Sequence, residues 1–302
     1  MCRHFAVNLL QSAFLMIPFT IAGIQMQISG REDNLARIRA KIDHTMHMFP
    51  QVRMIVLPEL AAFGPSTAKA QPLPGPAERT FQEIAAKHKV WLVNGSMFES
   101  HEGKVYNTCS VIDPEGRVAA RYRKAFPFRP YEAGVEAGDS FCVFDVPRVG
   151  RFGVLICYDL WFPEAARALT ALGAEVIVHP VMTTTIDRDI ELAMAVATAA
   201  QQQCYVFEIN GVGDGGVGQS IIVDPDAVTL YRAGSGEEIL PLEIDLARVR
   251  RSREFGVRGL GQVLKSFRDR RVLLANTFDL GEATAPAWDT LGPLRKPGGD
   301  AA

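Results

Sequence analysis

The sequence has no excess of charge of either sign: 32 Lys and Arg stand against 34 Asp and Glu, a net charge of −2 over 302 residues. A chain so balanced lacks the basic field that nucleic acids select, so a nucleic-acid partner is not expected. The local run Arg117, Arg121, Arg123, Lys124 and Arg129 reads as a solvated edge with one special member rather than a phosphate track. Cysteine is sparse and unpaired. The five, at 2, 109, 142, 157 and 204, include no Cys-x-x-Cys, which predicts a reduced, cytoplasmic protein rather than a disulfide scaffold. No His-Glu-x-x-His occurs, and His44 and His47 on an expected helix are only two ligands, too few to close a site, so no metal is expected. Repeats are absent, and no internal stretch is rich enough in Pro, Gly or Ser to mark a linker.

One long uncharged run is present, Phe5 to Ile24. Asn8, Gln11, Ser12, Pro18 and Thr20 interrupt it, and Ile24, Met26 and Ile28 alternate with Gln25 and Gln27 at the period of a half-buried strand. A signal peptide or membrane anchor would consume that strand. Residues 1–17 are therefore expected to be a loosely ordered extension, with Met16 as an alternative start, and no membrane association is expected.

What is there is an alternation of strand and helix signals. Strands are read over Thr20–Ile28, Arg53–Leu57, Val90–Gly95, Phe152–Ile156, Glu175–Val178, Cys204–Asn210 and Ile239–Ile244. Helices are read over Asn34–Met48, Glu78–His88, from Pro163, and over Asp189–Gln201. Hairpins are read at Val105–Ile112 with Arg117–Tyr122, around Asp113-Pro114-Glu115-Gly116, and at Gln219–Val223 with Thr229–Tyr231. The pattern is one α/β domain over 18–283, followed by a tail over 284–302 expected to be flexible.

Three strand ends carry reactive side chains: Glu59 after "RMIVLP", Lys124 after "ARYR", and Cys157 after "FGVLI". A thiol near its ordinary pKa of about 8.5 needs a base or a nearby cation to attack at neutral pH. Glu59 could take the proton, and Lys124 could favour the thiolate and stabilise an oxyanion. Taken singly, each has a plainer reading. A lone Cys is usually a packing residue, and a lone Glu or Lys at a strand end is usually idle.

The surrounding segments are specific. "LPEL", "RYRKAFPF" and "CYDLWFPE" resemble, in order, the three signature segments of the nitrilase superfamily of carbon–nitrogen hydrolases. The hairpin "VYNTCSVIDPEGRVAARYRK" and the later "GQSIIVDP" extend the resemblance to roughly residues 20–250. It implies a four-layer α-β-β-α sandwich extended by dimerisation, and no organic cofactor. It implies Glu59 as general base, Lys124 as oxyanion stabiliser, Cys157 as nucleophile, and the backbone N–H of Tyr158 as a second oxyanion donor. The implied chemistry is a thioester route: the thiol attacks an amide carbon, ammonia leaves, and water releases the acid.

"KAFPFRPYE" is similar to the aliphatic amidase and formamidase branch, which places Glu132 as a second glutamate near the amide nitrogen or the attacking water. Tyr158 stands where true nitrilases usually carry Trp, and Phe128 where those amidases carry Trp. Phe128, Trp161 and Met182 are candidates for the acyl pocket. Glu164 is expected to serve the helix N-terminus, and Asn107 and Asn210 to satisfy backbone groups in turns. The expected activity is hydrolysis of a small carboxamide to acid and ammonia by a homodimer or larger assembly, with a C-terminal arm from Phe255 to Phe278 crossing to the partner. The alternatives are an N-carbamoyl amide hydrolase, a nitrile-hydrolysing member and a non-catalytic scaffold.

Overall fold

The computed structural model describes residues 18–270. The expected extension over 1–17, the tail over 284–302 and the far end of the proposed arm lie outside the described residues. An eight-stranded sheet runs Glu238–Ile244, Phe19–Gln25, Val52–Val56, Trp91–Val93, Lys104–Ile112 and Met97–His101. Val118–Arg123 and Val135–Glu136 also pair with Lys104–Ile112. A six-stranded sheet runs Thr229–Arg232, Ile221–Val223, Tyr205–Asn210, Val176–Val181, Gly150–Val154 and Cys142–Val146.

The apolar runs of the sequence are strands buried on both faces. In Val52–Val56, Met54 and Val56 point between the sheets, where they join Phe152, Val154, Val178 and Phe207. Ile55 points the other way, onto Ile38, Ile42, Phe81 and Ile84 of the helices Leu35–Met48 and Pro76–His88. The second sheet repeats the arrangement. Leu155, Ile177 and Val206 meet Leu169, Leu192 and Ala199 of the helices Pro163–Ala171 and Arg188–Gln202. Alternation along each strand thus builds helix, sheet, sheet and helix, the four layers expected.

One strand departs from expectation. The alternation of Gln25 and Gln27 predicts a half-buried strand over Thr20–Ile28, yet every residue of Phe19–Gln25 is buried. Gln25 tolerates this because Ser220 N and Oγ donate to its Oε1 and its Nε2 donates to the Gly234 carbonyl. The chain then breaks at Met26, and Gln27–Ile28 joins a small separate sheet with Val212–Gly213 and Gly216–Val217. Met97–His101 and Cys142–Val146, both at sheet edges, are strands whose mixed polar pattern does not announce them.

Helical crossovers make Phe19–Gln25, Val52–Val56 and Trp91–Val93 parallel, and likewise Gly150–Val154, Val176–Val181 and Tyr205–Asn210. Two antiparallel steps return Val118–Arg123 to the direction of the first group. The segments after Val56, Arg123 and Val154 therefore leave the carboxyl ends of strands, where α/β sheets place ligands. Among the described residues, no helix is long and apolar enough to cross a membrane.

Candidate active site

Glu59 follows Val52–Val56 by three residues, and its N–H donates across to the Val181 carbonyl of the second sheet at 3.2 Å. Lys124 extends Val118–Arg123, its N–H donating to the Asn107 carbonyl at 2.8 Å. Alternation explains the local charge pattern. Arg121 and Arg123 point to one face, where buried Glu78 and Glu99 each hold one guanidinium in a bidentate pair. Tyr122 and Lys124 point to the other and are buried. Arg121 and Arg123 of the basic run are thus anchored rather than freely solvated, Arg121 by a carboxylate of the helix Pro76–His88 and Arg123 by one of the strand Met97–His101.

Lys124 Nζ donates to Glu59 Oε1 and to Glu132 Oε2, each at 2.9 Å. Burial opposes its charge, but Glu59, Cys157 and Glu132 outweigh that and hold the ammonium well above its ordinary pKa. Asn107 Nδ2 donates to the same Glu59 Oε1 at 2.8 Å and lies 3.5 Å from Glu132 Oε1. The Glu132 carboxylate also accepts from the N–H of Phe128, four residues back in its own loop.

Cys157 begins the turn Cys157–Trp161 in the left-handed region, with φ +47°. Such a conformation costs a non-glycine residue about 1–2 kcal/mol and persists where neighbours hold it. Asp159 is one of those neighbours. Its Oδ2 accepts from Ile156 N–H at 2.9 Å and from the Tyr122 hydroxyl at 2.8 Å, and its Oδ1 accepts from Phe126 N–H at 2.9 Å. One buried carboxylate therefore ties the turn carrying Cys157 to the residues on either side of Lys124. Burial pushes that carboxyl up to about 6, against its three hydrogen bonds. Burial and the Glu59 carboxylate push the Cys157 thiol up, opposed by Lys124 and the Met182 N–H. The resting residue is thus a thiol, which needs a base before it can attack.

Glu59, Lys124, Glu132 and Cys157 line one cleft of about 500 Å³ together with Tyr158, Phe128, Trp161 and Met182. All eight residues expected from the sequence for catalysis, the oxyanion and the acyl pocket are brought together. The Phe128 ring stacks on Tyr131 at 4.8 Å and tilts against Tyr158 at 4.9 Å, giving the cleft an aromatic wall. Glu164 stands exposed in the first turn of its helix, and Asn210 satisfies backbone groups of Thr183, Gly211 and Gly218, as expected. Asn107 does not. Expected to serve a turn, it bridges the two glutamates instead, because pairing of Lys104–Ile112 sets its side chain under them. Asp159 is the residue of this site that the sequence did not single out, and Asn107 the one whose role it missed. The Asp two places after the cysteine was the available signal for the first.

The model for the carbon–nitrogen hydrolase family matches residues 20–254. Omega-amidase NIT2 of Homo sapiens is 32% identical over 261 residues, covering 79% of this chain and 93% of that one. The Mus musculus protein is 31% identical over 260 residues, with the same coverage. Among solved structures, Saccharomyces cerevisiae Nit3, a member of the nitrilase superfamily, aligns with TM-score 0.71 and 27% identity over 78% of this chain and 94% of its own. The carbon–nitrogen hydrolase of Helicobacter pylori shares the fold, with TM-score 0.74 at 24% identity over 87% of this chain and 98% of its own. With the signature segments, the four-layer sandwich and the family match in agreement over the same residues, the chain belongs to the carbon–nitrogen hydrolase family.

Proposed function

We propose that the protein is an amidase that hydrolyses a small carboxamide to a carboxylic acid and ammonia through a thioester on Cys157. The observation that carries this reading is the convergence of Glu59, Lys124, Glu132 and Cys157 on one cleft. Both donors to Glu59 take Oε1, and Oε2 has no partner among the described residues, so that oxygen is available for the thiol proton. As the proton moves to Glu59, the sulfur bonds to the amide carbon and the carbonyl electrons move onto oxygen. Lys124 Nζ and the Tyr158 N–H stabilise that oxyanion. Collapse breaks the carbon–nitrogen bond, and Glu59 returns its proton to the departing ammonia. Water then gives a proton to Glu59 and attacks the thioester. The acid leaves, and the proton restores the thiol. Glu132, held by Lys124 and the Phe128 N–H, orients the amide nitrogen and later the water.

The charge of the cleft narrows the acyl group. Lys124 is the one cation among its described lining residues and is held by two carboxylates, while Glu191 and Asp187 also line the cleft. A carboxylate tail would meet no unspent cation there. We therefore favour an uncharged short acyl group beside Phe128, Trp161 and Met182. The relatives' name, omega-amidase, supports amide hydrolysis and makes an acid-tailed amide the competing substrate.

Ammonia release should be measured with formamide, propionamide, butyramide, succinamate, a carbamoyl compound and a nitrile. The expected result is turnover of the neutral amides at well above the rate for succinamate. Release only from the carbamoyl compound or the nitrile would overturn the reading. The assembly is proposed to be a homodimer extending the sandwich. Light scattering should give twice the chain mass of 33.1 kDa, and a monomer would refute that part.

A further inference from the structure

Behind Cys157, on the helix side of the second sheet, lies a buried chain of charged groups that the reaction as described does not use. His179 on Val176–Val181 stands directly opposite Glu208 on the parallel strand Tyr205–Asn210. Its Nδ1 is 3.0 Å from Glu208 Oε2, and its Nε2 is 2.9 Å from the Cys157 carbonyl oxygen. The ring is buried, as are Glu208, Arg188 and Glu191. Arg188 Nη1 donates to Glu208 Oε1 at 2.6 Å and to Glu191 Oε2 at 3.1 Å, and its Nη2 donates to the Gln219 carbonyl at 2.8 Å. Thr183 donates its hydroxyl proton to Glu191.

A neutral imidazole has one donor and one acceptor nitrogen. Here each nitrogen meets an acceptor. The carbonyl oxygen of Cys157 can only accept, and the arginine on Glu208 keeps that carboxylate ionised. Both nitrogens must then carry hydrogen, and the ring is an imidazolium. Around it the charges balance: His179 and Arg188 are positive, Glu208 and Glu191 negative. These, with the Cys157 thiol, are the titratable and charged groups facing it from the neighbouring strand, the helix and the turn. Burial works against the ring's charge, but the hydrogen bond and charge of Glu208 prevail and raise its pKa. Burial likewise works against the Glu208 charge, and Arg188 and His179 hold its pKa down.

The carbonyl that His179 holds belongs to the peptide whose other end is the Tyr158 N–H. That peptide is not among the cis bonds, and a trans peptide is planar with its C=O and N–H pointing in opposite directions. A cation on the oxygen fixes the plane, and so the aim of the N–H. It also draws electron density toward the oxygen and makes the N–H a stronger donor. It further helps to hold the left-handed backbone of Cys157.

We propose that His179 is a positioning residue, doubly protonated at neutral pH, that fixes and polarises the Cys157–Tyr158 peptide so that the Tyr158 N–H donates to the oxyanion. This rests on the thioester reading above. Gln places its amide nitrogen near the position of Nε2, whereas Asn reaches only as far as Nδ1. His179→Gln can therefore keep the bond to the Cys157 carbonyl, and His179→Asn can keep only the one to Glu208. Losing a single oxyanion donor costs about 10²–10³ in kcat, so weakening one should cost roughly tenfold to a hundredfold.

The test pairs these variants with ¹⁵N NMR of the histidines in the full-length enzyme, His179 being assigned as the resonance lost in the variants. Expected are two protonated ring nitrogens for His179 from about pH 6 to 8, a fall in kcat for His179→Asn at nearly unchanged KM, and recovery to within severalfold of wild type in His179→Gln. A neutral tautomer in the wild-type spectrum overturns the proposal, even if neither variant folds. So does a kcat in His179→Asn equal to that of wild type, or an equal loss in both variants that tracks their folded fraction. The spectrum does not depend on turnover, so failure of the thioester reading, seen as activity retained in Cys157→Ala, is distinguishable from failure of the protonation state.

Discussion

Asn107 Nδ2 donates to Glu59 Oε1 over 2.8 Å, on the same oxygen that accepts from Lys124. Two donors on one oxygen leave the other for the proton in the proposed reaction, so the amide would select which half of the carboxylate acts. Asn107→Ala should lower kcat by roughly 10- to 100-fold, the worth of about 1.5–3 kcal/mol for a hydrogen bond to a charged group. Steady-state kinetics on protein of native circular dichroism checks this. A wild-type kcat would mean that Lys124 alone orients Glu59.

Glu59→Gln keeps the size of the side chain and removes the proposed base. Because the resting Cys157 is a thiol, turnover should fall by about 10²–10⁴. Cys157→Ala should abolish it, and mass spectrometry of the quenched wild-type enzyme should show the acyl adduct. Turnover by Cys157→Ala would remove the nucleophile from the mechanism.

Glu132→Asp withdraws the carboxylate from both Lys124 Nζ and the Phe128 N–H. Turnover should drop while thermal stability stays close to wild type. Wild-type rates would reduce Glu132 to a structural carboxylate of its loop.

Gly95 has φ +78°, and a Cβ there would stand 1.7 Å from the Pro58 carbonyl oxygen, one residue before Glu59. Gly95→Ala must therefore displace the segment carrying Glu59. It should lower the melting temperature, through a left-handed penalty of about 1 kcal/mol plus the displacement, and should lower kcat as well. Unchanged kcat in a destabilised variant would show that Glu59 is held from elsewhere.

Asp159 is raised from an ordinary 3.8 to about 6 in the folded protein. Between those values the folded state holds a proton that the unfolded chain has released, so this group's contribution to stability falls as pH rises from about 4 to about 6. The loss is on the order of 3 kcal/mol and then levels off. Urea unfolding of wild type and Asp159→Asn across this range should show a difference that shrinks as pH rises. A constant difference would show that the three hydrogen bonds cancel the burial.

The sequence by itself determined what is local. Apolar runs bounded by turn residues predicted most of the strands, a period near 3.6 predicted the helices, and short segments around Glu59, Lys124, Glu132 and Cys157 carried the family resemblance. Only the tertiary structure decided what depends on register between distant strands. Asn107 lies 48 residues from Glu59, Tyr122 lies 37 from Asp159, and His179 lies 22 from the carbonyl it holds. Nothing in composition or periodicity measures such separations. A buried polar side chain takes its role from the partner that strand pairing sets beside it. The alternation that predicts a half-buried strand misses the burial of Gln25 for the same reason, since its partner Ser220 is 195 residues away.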